Sequence, residues 1–131
     1  MKWNEKYGSN KELEEQGVWV DFGEDCKVKI ARLGNEKCSA QIRQSNKPHL
    51  RKIRKGDLDS KIAQGILRKA VSKHVLLDWK GIEDADGNAI LYSEEKCFEL
   101  LGDRDFLEDI VELAEDRELF HEDAVEESAG N

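Results

Sequence analysis

The segment GVWVDFGEDCKVKIARL, residues 17–33, limits the fold more than any other part of the chain. Val18, Val20 and Phe22 alternate with Trp19 and Asp21, and after Gly23-Glu24-Asp25 the residues Cys26, Val28 and Ile30 alternate with Lys27 and Lys29. A period of two on both sides of a short polar link predicts a β-hairpin with one apolar face. The glycine in the link does not sit where it would select a single turn type. An isolated hairpin is marginal in water, so its apolar face must be covered by the elements that follow.

Those elements read as helices. Asn35 is a good N-cap for a stretch with Cys38 and Ile42 four apart, and Pro48 restricts Lys47, which puts the end of this helix near Ser45. After Gly56-Asp57, Leu58, Ile62, Ile66 and Ala70 recur every four residues beside Ala63, Leu67 and Val71, an apolar stripe suited to a core. Gly65 costs about 1 kcal/mol relative to alanine inside that helix, which so long a stripe tolerates. The run Val75, Leu76, Leu77 and Trp79 either continues the helix or forms a short buried strand, and periodicity alone does not choose. Ser93 caps a further helix that buries Cys97, Leu100 and Leu101 and closes at Gly102. Asp103 or Asp105 caps the last one, in which Phe106, Ile110 and Ala114 form one row flanked by Leu107, Val111 and Leu113.

The expected fold is therefore α+β and mainly helical, an N-terminal β-hairpin packed on three or four helices. Residues 1–16 read as a polar N-terminal arm with a short helix around Lys11 to Gln16, residues 17–120 as a single globular domain, and residues 121–131 as an acidic flexible tail. A chain of 131 residues can bury a core without disulfides or metals. Cys26, Cys38 and Cys97 are odd in number and lack zinc-ligand spacing, so they read as small core thiols. The chain has neither a long uninterrupted apolar window nor an N-terminal secretory pattern, and it reads as cytoplasmic.

The formal charge of −8 conceals a segregation along the chain. Residues 1–46 are neutral in sum, residues 47–80 carry ten basic against three acidic side chains, and residues 81–131 carry three basic against eighteen acidic. Lys47, Arg51, Lys52, Arg54 and Lys55 crowd the start of the basic part, a pattern that also suits phosphate neutralisation. No aromatic residue lies between Phe22 and Trp79 to stack a base, and the acidic end repels a polyanion.

Asp84-Ala85-Asp86-Gly87 resembles part of a calcium loop. Placing Gly87 at the invariant sixth position puts Ile82 first and Ser93 twelfth, where such a site needs an aspartate and a bidentate glutamate. The segment reads instead as a tight turn, and no metal or cofactor is expected. His49, His74 and His121 lack spaced partners, and there is no GxSxG, glycine-rich phosphate loop or HExxH, so no catalytic residue is assigned and no enzymatic activity is expected.

GVWVDFGEDCKVKIARLGNEKC, VLLDWKGIEDADGNAILYSEEKCFELL and DFLEDIVELAEDRELF, taken in order, resemble the tail assembly chaperones of long-tailed bacteriophages over roughly residues 17 to 120. The resemblance implies a non-enzymatic protein of the infected host's cytoplasm, absent from the finished virion. Such a protein keeps the tape measure protein soluble and helps recruit tail tube subunits to it. It also implies a longer frameshifted product in many members. Ala129-Gly130-Asn131 is compatible with a slippery GGGAAAC heptamer, which the codons themselves would decide. A chaperone of this kind needs exposed apolar contacts and surplus charge of one sign. The aromatic candidates for partner contact are Trp19, Trp79, Phe106 and Phe120, each of which ordinary aromatic burial assigns to the core before an interface, with Trp19 the best surface position because it lies on the hairpin face opposite Val18, Val20 and Phe22. Two other readings stand beside this one: a small nucleic-acid-binding regulator using residues 47–55, and a structural tail component retained in the virion.

Overall fold

A computed structural model describes residues 1–121. The order is α1 (Trp3–Tyr7), α2 (Lys11–Gln16), β1 (Val18–Asp21), β2 (Lys27–Ile30), α3 (Glu36–Asn46), a 3-10 turn (Lys47–His49), α4 (Leu50–Lys55), α5 (Ser60–His74), β3 (Leu76–Lys80), α6 (Glu94–Leu100), α7 (Arg104–Glu115) and a second 3-10 turn (Arg117–Phe120). The fold is α+β and mainly helical, as expected, with more and shorter helices than the periodicity suggested. The acidic segment after His121 lies outside the described residues.

The hairpin forms as read, with Val18 opposite Ile30 and Val20 opposite Val28. Its turn has Glu24 at φ 46° and Asp25 at φ 62°, and the Cys26 amide donates to the Gly23 carbonyl at 2.7 Å. Two successive left-handed residues are the signature of a primed hairpin turn, whose twist matches that of the strands.

The undecided segment VLLDW is a strand. β3 runs antiparallel to β2, with Trp79 opposite Val28, so the sheet order is β1-β2-β3 and β2 is central. The choice follows from hydrogen bonding: without β3, one edge of the buried strand β2 would have unpaired backbone groups. Gly81 follows β3 at φ 86° because a Cβ there would lie 2.5 Å from the Asp25 carbonyl oxygen of the hairpin turn.

The inner face of the sheet supplies Val18, Val28, Ile30, Leu76 and Trp79 to the core, and helices cover it with Ala70, Val71, Leu107, Ile110 and Ala114. α5 packs along α3 and against α6, and α7 reaches β2. Asn35 connects these layers. Its Oδ1 accepts from the Cys38 amide as an N-cap, while its Nδ2 donates to the carbonyls of Arg32 and His74 at 2.8 and 3.0 Å. All three cysteines are buried free thiols.

α3 ends at Asn46, one residue past the expected Ser45, and the chain bends there into a 3-10 turn. Proline occupies the first turn of the 3-10 segment, where its missing N–H is not needed, and the chain continues into α4 until Gly56 ends that helix at φ 72°. Near the N-terminus, α2 is tied to the body: the Asn10 amide donates to Phe120 O at 2.8 Å, Glu14 pairs with Arg32 at 2.7 Å, and Ser9 bridges His121.

Candidate protein-binding surfaces

The four aromatic candidates separate by burial. Trp79 is 4% exposed; its Nε1 donates to Ile90 O at 2.7 Å and its ring meets Tyr92 edge-on at 4.9 Å. Phe120 is fully buried among the core residues. Neither is available to a partner in this fold, because an aromatic at a layer junction serves the core first. Phe106 is half-buried, edge-on to Phe22 at 6.1 Å. Trp19 is 40% exposed on the outer face of the sheet, paired across from Lys29 and covered by Lys80, whose Nζ lies 4.6 Å from the ring centroid. Of the four, Trp19 is the one that presents an aromatic face to solvent, and it does so with cations beside it.

The loop after Trp79 is a turn. Asp84 Oδ1 accepts from the amides of Asp86 and Asn88, both at 2.9 Å, and Glu83 bridges Ala89. A carboxylate used this way shapes the backbone of its own turn. The returning strand-like arm ends at Tyr92, whose hydroxyl donates to Leu76 O at 2.9 Å. The Cys97 thiol approaches the same carbonyl at 3.6 Å, and burial pushes its pKa up to about 12. Such a thiol is protonated at neutral pH and a poor nucleophile.

Two further surfaces stand out, the first unrecognised in the sequence and the second carrying the basic cluster read there as a phosphate-neutralising patch. The first is a groove of about 650 Å³ between α5 and α7. Its floor is apolar, from Ala63 and Leu67 on α5 and Leu107 and Val111 on α7. Its acidic wall is Glu108, Glu112 and Glu115, of which Glu108 is held by Arg104 at 3.1 Å. The flanking positions Val111 and Leu67 were legible as apolar, but the gap between two helices is a tertiary feature. The second surface is α4 with its leading 3-10 turn, where Leu50 and Ile53 are exposed among Arg51, Lys52, Arg54 and Lys55. None of these four cations joins an ion pair among the described residues.

No helix among the described residues is long and apolar enough to cross a membrane. Residues 33–131 match the family model described as YdaY prophage protein, well over half of the chain. The chain belongs to that family and is of prophage origin. The match begins after the hairpin, so α3 to α7, with the groove and α4, fall inside it. No curated protein and no solved structure matches the chain.

Proposed function

We propose that this prophage protein is a tail assembly chaperone, a non-enzymatic factor of the host cytoplasm that binds and solubilises the tape measure protein and helps recruit tail tube subunits. The observation that carries the reading is the α5–α7 groove, an apolar floor beside an acidic wall. A long, apolar, helical client lays one face into such a groove, and the surplus negative charge around it keeps the complex dissolved. The prophage family and the resemblance to tail chaperones support the same reading.

Co-expression with a fragment of the tape measure protein from the same prophage tests it. The expected result is a soluble client that co-elutes with the chaperone, weakened by Val111→Glu on the groove floor. An insoluble client and separate elution refute the proposal. Presence of the chain in purified virions would assign it to the particle as a structural component instead.

The exposed cations of α4 favour one second reading, a nucleic-acid-binding regulator. Binding to duplex DNA that falls steeply with salt and is lost in Arg51→Ala/Arg54→Ala identifies that case.

A further inference from the structure

Two of the surfaces that the fold leaves open, α4 and the α5–α7 groove, are complementary to each other. α4 offers Leu50 and Ile53, three residues apart and hence on one helix face, with Arg51, Lys52, Arg54 and Lys55 around them. The groove offers the opposite set: an apolar floor from Leu67 and Val111, and Glu112 and Glu115 with no ion pair among the described residues. Within one molecule the main contact of α4 is with the 3-10 turn that leads into it.

The geometry points to a self-contact in which α4 of one copy lies in the α5–α7 groove of a second copy of this chain. Each copy has both surfaces, and where the exchange is made reciprocally about a two-fold axis it closes as a dimer rather than running on as a filament. The charge balance selects this arrangement. A chain of net charge −8 repels its own copies at long range, so a stable self-contact must place its cationic patch against its anionic one. α4 is the densest cationic cluster of the described residues, and its two exposed aliphatic side chains supply the apolar contact that charge alone lacks. The dimer requires no client, and a client seated in the groove would compete with α4.

Sedimentation of the full chain across a concentration series tests the contact, with two charge-reversed variants at exposed positions, Lys52→Glu/Lys55→Glu on α4 and Glu112→Lys/Glu115→Lys on the groove. The wild type is expected to dimerise, more weakly as salt rises. Each variant alone should raise the dissociation constant at least about tenfold while keeping the wild-type circular dichroism. An equimolar mixture of the two variants should regain a heterodimer, because both reciprocal contacts then pair opposite charges again. A wild type that stays monomeric at all concentrations, variants that dimerise like the wild type, or a mixture that does not recover would each overturn the proposal. A monomeric wild type that retains a labelled DNA duplex through α4 would also overturn it, in favour of a polyanion partner. Failure here leaves the co-expression result untouched, since solubility of the client is read without reference to the dimer.

Discussion

α4 and α7 are both short amphipathic helices dense in charge, and the fold treats them in opposite ways. α7 buries Leu107, Ile110 and Ala114 against the sheet and turns its carboxylates to water. α4 buries no residue, and its aliphatic side chains stay exposed between its cations. A charged helix with an apolar row is thus core material or contact surface according to whether a second layer lies within reach. α7 follows a capped turn at Asp103 that aims it back over β2, while α4 leaves the body through the bend at Pro48. The contrast teaches that local pattern sets the helix and chain direction sets its role.

The strongest way to break this comparison is to remove the equivalent aliphatic group from each helix. Ile110→Ala should cost about 3–4 kcal/mol of unfolding free energy, as a fully buried isoleucine in a packed core does. Ile53→Ala should change stability by no more than about 0.5 kcal/mol, as exposed substitutions do. Urea unfolding of both variants measures the pair, and equal losses would show that α4 is packed after all.

Asn35→Ala comes next, at about 2–3 kcal/mol, because it removes the α3 cap and leaves two carbonyls, those of Arg32 and His74, without this donor. Since α3 carries α4, amide hydrogen exchange should then quicken through both helices while α7 stays protected. Gly56→Ala is smaller, about 1 kcal/mol, from forcing a side chain into the left-handed backbone that ends α4; open space around that position leaves the strain local. It sharpens the contrast if exchange rises in α4 alone.

The smallest effect is a pH dependence at the end of α5. Burial first, then the charges of Lys73 and Lys37, hold the His74 imidazole below its ordinary value of 6.5, with Glu94 opposing. The unfolded chain therefore binds a proton at a higher pH than the folded one. Between those two values stability falls as pH falls, and above the ordinary imidazole value the contribution is fully present. His74→Gln should flatten that part of a denaturation-versus-pH curve. α7, rich in carboxylates with no comparable imidazole in its row, should show no matching change in this window.

Much of the architecture was legible in residue order. The hairpin, the caps at Asn35, Ser93 and Asp103, and the core row of α7 rest on interactions spanning a few residues and formed at the expected place, whereas of the stripe expected in α5 only Ala70 and Val71 are fully buried, Ala63 is exposed and Leu58 precedes the helix. Trp19 was readable as a surface residue for the same reason, since alternation in a strand assigns faces without reference to the rest of the fold. The burial of Trp79 and Phe120 follows the ordinary habit of aromatics, while the partners that bury them, Ile90 and Tyr92 in one case and residues 10–16 in the other, are set by the tertiary fold.

By itself the sequence determined the hairpin, the longer helices and most of their N-caps, and that cationic and anionic stretches are separate. Only the tertiary structure decided that VLLDW is a strand, that α5 and α7 leave a groove between them, and that α4 stands outside the core. Those outcomes are set by contacts between residues far apart in the chain: a central strand requires pairing on both edges, and a helix becomes core only when another layer covers its apolar face.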